Sequence, residues 1–119
     1  MLNLDTHILI HALDGRLAIR EQALLATNRW GISAIVLWEL TKLRQLNRIA
    51  IDISDPDFAP VLARLVVWPL DLAVCRQIPE LDFRGDPADE IIAATGIVHN
   101  VPLLTRDRRI RASKLVPLA

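Results

Sequence analysis

The chain opens Met1–Leu2–Asn3–Leu4–Asp5–Thr6–His7, and near its other end it runs Val101–Pro102–Leu103–Leu104–Thr105–Arg106–Asp107. In both stretches a short apolar run stops at or just before an aspartate. An apolar run of this length without polar alternation is the pattern of a strand whose sheet is covered on both faces. Trp30–Ile32, Val66–Pro69 and Leu115–Leu118 repeat it.

Helical patterns fill the intervals. Asp5 or Thr6 caps a short helix carrying Ile8, Leu9 and Ala12, which Asp14–Gly15 ends. Leu17 to Asn28 has helical spacing. After Ser33, an N-cap, Val36, Leu40, Leu43 and Leu46 mark one face of an amphipathic helix. Asp52–Pro60 is polar and carries two prolines, so it is expected as a loop. Helices are expected from Phe58 to Leu65 and from Leu70 to Ile78. Gly85–Asp86–Pro87 supplies a turn, an N-cap and a proline at the first helical position, opening a helix to about His99 with Asn100 as C-cap. Thr105–Arg109 is expected as a loop. Strands alternating with helices give an α/β fold: a three-layer α/β/α sandwich around a central parallel sheet of about four to five strands. Ligands of such sheets bind at the carboxyl ends of the strands, where Asp5 and Thr105–Asp107 fall.

Composition sets bounds on this reading. The 119 residues, 52% hydrophobic and 24% charged, suit one folded domain over 1–119. The formal net charge is zero, so no global basic field draws the chain to nucleic acid, and any such site is local or works through metal ions. The single Cys75 makes no internal disulfide; beside Ala73 and Val74 it is expected as a buried small hydrophobe. The N-terminus lacks the basic region of a signal peptide, and Ile32–Leu37 is too short to span a bilayer; a reducing cytoplasm and no membrane are expected.

Glu39 is the most informative acid. It lies three residues after Val36 and four before Leu43, on the apolar face of its helix. A buried carboxylate is costly unless it is paired or metal-bound, so the alternatives are an arginine partner or a cation. Asp89, in the first turn of the Pro87 helix, either complements the helix dipole or points inward with Ile92, Ala93 and Gly96. Asp86 reads mainly as a cap. Asp107 serves in an Asx-turn or in a site, and Asp5 as an N-cap or in a site. Converging carboxylates raise one another's pKa, and a hard cation such as Mg²⁺ or Mn²⁺ resolves that conflict. The chemistry such an ion supports is phosphodiester hydrolysis. His7 and His11 alone make no zinc site, and no nucleotide-cradling glycine motif occurs. Arg106, Arg108, Arg109, Arg111 and Lys114 lie beside Asp107, either as phosphate contacts, extended by Arg44 and Arg48, or as a solvated terminal helix.

Leu4–Asp5–Thr6–His7, Trp38–Glu39–Leu40, Asp86–Pro87–Ala88–Asp89–Glu90–Ile91–Ile92–Ala93–Ala94–Thr95 and Leu104–Thr105–Arg106–Asp107 together resemble PIN-domain ribonucleases, in particular the VapC toxins of type II toxin–antitoxin systems. The resemblance spans nearly the whole chain. It implies Mg²⁺ or Mn²⁺ held by Asp5, Glu39, Asp89 and Asp107, and hydrolysis of RNA. Thr6, Thr105, Arg106 and Arg108 stand where substrate would be met. It also implies a homodimer, and an antitoxin peptide in a groove lined by Leu9, Leu13, Leu17 and Trp38. Glu90 departs from the pattern, since many relatives carry arginine there; this keeps open a catalytically weakened domain that binds RNA or a partner without cutting. Haloacid-dehalogenase-type phosphatases need a second aspartate where this chain has His7. Receiver domains need a paired acid and a late lysine, neither of which is evident.

Overall fold

A computed structural model describes residues 1–119. The elements in order are β1 (Leu2–Leu4), α1 (Thr6–Asp14), α2 (Ile19–Ala26), β2 (Trp30–Ser33), α3 (Ala34–Gln45), α4 (Ala59–Arg64), β3 (Val66–Trp68), α5 (Leu72–Gln77), α6 (Pro87–His99), β4 (Leu103–Leu104) and α7 (Arg108–Arg111). Single 3₁₀ turns precede α4 at Pro56–Phe58 and follow α5 at Ile78–Glu80.

The four strands form one sheet in the order β3-β2-β1-β4, every pair parallel, flanked by helices. Leu2 lies beside Trp30, Leu4 beside Leu104, and Ser33 beside Trp68. The chain leaves β1 toward β2 and β3, then returns through α5 and α6 to place β4 on the other side of β1. The carboxyl ends of β1 and β4 therefore flank a reversal of strand order, where open α/β sheets form their crevice. Asp5 stands at the end of one strand and Thr105 at the end of the other.

Local chemistry sets the helix ends. The Asp5 and Ser33 side chains accept N–H bonds from the first turns of α1 and α3. Gly15 closes α1 at φ 70°, a left-handed conformation that costs glycine little, and Asn100 closes α6 at φ 52°. Leu4, Ile8, Ile32, Leu40, Ile92 and Leu104 are fully buried in the core. Each contributes ~1.5–3 kcal/mol by leaving water.

Two close approaches fix the helix and sheet layers. Asn3, wholly buried on β1, donates from Nδ2 to the Ile92 carbonyl of α6 at 3.0 Å. Gly96 makes room for that amide, since a Cβ there would lie 3.2 Å from Asn3 Nδ2. On β2, Gly31 lies under the Trp68 ring, which stacks on His99 with centroids 5.3 Å apart.

Several expectations are corrected. Leu115–Leu118 forms no full strand but one parallel bridge, Leu103 to Leu118, at the sheet edge. The helix expected from Leu17 starts at Ile19, because the Glu21 carboxylate accepts the Ala18 N–H and closes the first turn there. Within Thr105–Arg109, Asp107 caps α7. Cys75 is exposed while its neighbour Val74 is buried, because the helix turns the thiol away from the core.

Candidate active site

Asp5 is buried at 3% exposure. Its Oδ1 accepts the Thr6 N–H at 2.7 Å, and its Oδ2 accepts the Thr105 hydroxyl at 2.6 Å across one hundred residues of chain. The Thr105 hydroxyl accepts in turn from the Asp107 N–H at 3.0 Å. Asp107 Oδ1 accepts the Ile110 N–H at 2.9 Å, capping α7. On the other side of Asp5, the Thr6 hydroxyl donates to Glu39 Oε1 on α3. Two threonine hydroxyls thus brace the carboxylates of Glu39 and Asp5, and the Thr105 hydroxyl also holds the Asp107 backbone, in one network at the carboxyl edge of the sheet.

Asp89 completes the group from the first turn of α6 and makes no side-chain hydrogen bond. Burial pushes its pKa up to about 6, and the charges of Asp5, Asp107, Glu39 and Asp86 push in the same direction. Glu39 is also raised, first by burial, against the opposing hydrogen bond from Thr6, with Asp5 adding to the rise. The only salt bridge joins Arg106 to Glu21, so none of these acids is neutralised by an ion pair. Glu39 therefore has a hydroxyl where an arginine partner was the alternative. Carboxylates without ion-pair partners, Glu39 and Asp89 among them raised by burial and by neighbouring acids, form a hard-oxygen donor set suited to Mg²⁺ or Mn²⁺. No three of them already stand as a closed metal-binding cluster.

The remaining sequence candidates sort differently. Thr6 and Thr105, read as substrate contacts, both donate to the acids. Arg106 is committed elsewhere: its Nε and Nη2 donate to the two carboxylate oxygens of Glu21 at 2.8 and 2.6 Å, and Nη2 also reaches the Arg16 carbonyl. That fork ties the segment before Asp107 to α2 and holds the Glu21 carboxyl at a pKa of about 2. Arg108 is exposed, forms no side-chain hydrogen bond, and lines a cleft of about 490 Å³ with Asp89 and Asp107. Leu9 is fully buried and cannot line an open groove; its side of α1 faces the core. Leu13 and Leu17 are half-buried, and Trp38 is 55% exposed.

Of the lining residues of that cleft that sequence reading left without a site role, two bear on its chemistry. Asp86 occupies the N-cap position of α6, yet its side chain accepts no helix N–H and lies in the cleft instead. Phe83 lines the wall beside Gly85. The cap pattern of Asp86–Pro87 hid the first, and no local signal marks the second.

Residues 3–114 match the PIN domain family model. The chain is 33% identical over 118 residues to Ribonuclease VapC22 of Mycobacterium tuberculosis (strain ATCC 25618 / H37Rv), covering 93% of this chain and 90% of the relative. Its fold is similar to VapBC2 from Rickettsia felis, solved bound to a promoter DNA fragment, with TM-score 0.73, 22% identity, and coverage of 100% of this chain and 98% of the other. It is likewise similar to DNA-bound VapBC from Salmonella typhimurium, with TM-score 0.72, 21% identity, and 99% and 96% coverage. The parallel sheet, the acids at its carboxyl edge and these likenesses agree: the chain belongs to the PIN domain family and is similar to its VapC members.

Proposed function

We propose that this protein is a divalent-metal-dependent endoribonuclease that hydrolyses RNA phosphodiester bonds, and the toxin of a toxin–antitoxin pair. The observation that carries the reading is the hydrogen-bonded network of Asp5, Glu39 and the Asp107 segment, none of these acids ion-paired, whose charges together with burial push Asp89 up to about 6. Asp5, Glu39, Asp89 and Asp107 would hold Mg²⁺ or Mn²⁺. Such an ion, when bound, activates water and offsets charge on phosphodiester oxygens. Thr6 and Thr105 hold Glu39 and Asp5 in place, and Thr105 fixes the backbone at Asp107. Arg108, free of any carboxylate, meets the phosphate backbone at the cleft.

The ribonuclease name of the VapC22 relative supports the activity, and the VapBC complexes support an antitoxin partner. An antitoxin segment would dock over Leu13, Leu17 and the exposed Trp38, and the protein would act as a homodimer. No helix is long and apolar enough to cross a membrane. Glu90, the departure from the family pattern, does not line the cleft.

Asp5→Asn and Asp89→Asn are expected to abolish both Mn²⁺ binding, measured by calorimetry, and cleavage of RNA. Cleavage at the parent rate by either purified variant would refute the site assignment. Co-expression with the neighbouring small open reading frame tests the partner; no complex and no relief of toxicity would exclude it.

A further inference from the structure

Unlike groups line the cleft beside the acids: the carboxylates of Asp86, Asp89 and Asp107, the Phe83 ring, Gly85 and the Arg108 guanidinium. Phe83 is half-buried: it packs against the core, which fixes the ring, and it also borders the cleft. A Cβ at Gly85 would lie 3.8 Å from Phe83 Cε2 and 3.6 Å from Arg109 Nη1. Any larger side chain there would add bulk beside the ring. Arg109 is strapped back by donating from Nη1 to the Arg84 carbonyl at 2.5 Å, whereas Arg108 has no acceptor.

An aromatic ring packed against the core, a glycine beside it and a guanidinium without an acceptor within one cleft match the chemistry of a nucleotide. The base needs a π surface and the phosphate needs a cation. A base inside a duplex has both its faces covered by stacked neighbours, so a ring in a cleft receives only an unpaired base. We infer that the cleft lined by Phe83, Gly85 and Arg108 is a subsite for one unpaired nucleotide adjoining the phosphodiester that meets the acids, with Phe83 as the platform for its base. Phe83 is a binding residue, and the subsite tolerates any base because every base has a π face. The assignment rests on the ribonuclease reading above.

The test uses the full chain and a single-stranded RNA carrying one 2-aminopurine, mixed with protein and Mn²⁺ in a stopped-flow instrument while cleavage is followed in parallel. Stacking on Phe83 is expected to quench the fluorescence before cleavage. Phe83→Leu keeps the core packing but removes the π face; it is expected to lose the quench and raise KM roughly ten-fold, with kcat little changed. Phe83→Trp is expected to restore both. Gly85→Val, which adds bulk beside Phe83, is expected to raise KM in the same way. Annealing the RNA to its complement is expected to remove the quench. Cleavage by the wild type with no quench, or an unchanged KM in Phe83→Leu, overturns the subsite and leaves the ribonuclease standing. No cleavage of any RNA by the wild type overturns both.

Discussion

Removing one charge from the candidate site is expected to make the metal-free protein more stable. Asp89 has no hydrogen-bond donor, and burial together with Asp5, Asp107, Glu39 and Asp86 lifts its pKa from 3.8 to about 6. A carboxyl with a raised folded-state pKa holds its proton more tightly in the native chain than in the unfolded one. Below about pH 4 both states are protonated and the group is neutral to stability. Between about pH 4 and 6 the folded protein binds more protons, so stability falls as pH rises; above pH 6 the whole penalty is present. Two pKa units correspond to ~3 kcal/mol at most. Solvent screening of the half-buried group and loss of its favourable place in the first turn of α6, itself worth ~0.3–1 kcal/mol, act against this. Asp89→Asn should therefore gain ~1–2 kcal/mol in EDTA at pH 8 and almost nothing at pH 4. Saturating Mn²⁺ reverses the order, since a ligand at a hundred times its Kd adds ~2.7 kcal/mol to the wild type and little to the variant. Urea denaturation at both pH values, with EDTA and with MnCl₂, reads all four quantities. A variant less stable than the wild type in EDTA at pH 8 would refute the reasoning.

Three other perturbations follow from the same structure. Glu21→Gln breaks the fork with Arg106 at a carboxyl held near pKa 2; since that pKa is depressed, its contribution is complete above about pH 4.5 and is lost between about pH 4.5 and 2. The cost at pH 7 is expected to be ~2 kcal/mol after discounting the 43% exposed Arg106 side chain, and urea titrations should show the gap to wild type closing toward pH 2. Gly31→Ala places a Cβ 2.6 Å from Trp68 Cζ3, and Trp68 is pinned on His99, so a loss of ~1–3 kcal/mol is expected in a urea titration followed by tryptophan fluorescence. Thr105→Val deletes the hydroxyl between Asp5 and Asp107 at constant shape; Mn²⁺ affinity by calorimetry should fall roughly ten- to one-hundred-fold while the far-ultraviolet circular dichroism stays unchanged.

What the sequence shows of this fold divides by range. β1, β2, β4, α3 and α6 are legible because each writes its burial locally, as an apolar run or a three-and-four repeat between caps. The last strand shrinks to the Leu103–Leu118 bridge because pairing depends on where the partner edge ends, which no local pattern records. Cys75 misleads for a related reason: in a helix as short as Leu72–Gln77, apolar neighbours on either side do not say which face turns inward. In the site, Glu39 is legible as an acid among apolar neighbours. Its bond to Thr6 spans 33 residues, and the fork from Arg106 to Glu21 spans 85, so both are invisible before folding. Arg106 reads as a phosphate contact only while Glu21 is unknown. Leu9 and Leu13 both look apolar on α1, and only the packing shows that Leu9 is sealed in the core and Leu13 is not.

Burial and the distribution of donors together set how strongly each acid is perturbed. Asp5 accepts an N–H and a hydroxyl, Asp107 accepts the Ile110 N–H, and Glu39 accepts the Thr6 hydroxyl. Asp89, carried on a different helix, is given none, and it is the acid pushed up to about 6. Adding a donor there would relax the metal-free site but would also occupy oxygens that no other hydrogen bond uses. A site that left all its acids bare would repel itself apart, and one that satisfied all of them would have no unsatisfied oxygen to attract an ion. The threonines brace Glu39 and Asp5 and leave Asp89 without a donor, so burial and repulsion, which also raise Glu39, act on Asp89 unopposed by any hydrogen bond. That arrangement makes Asp89 the position where loss of function and gain of metal-free stability are expected to coincide most strongly.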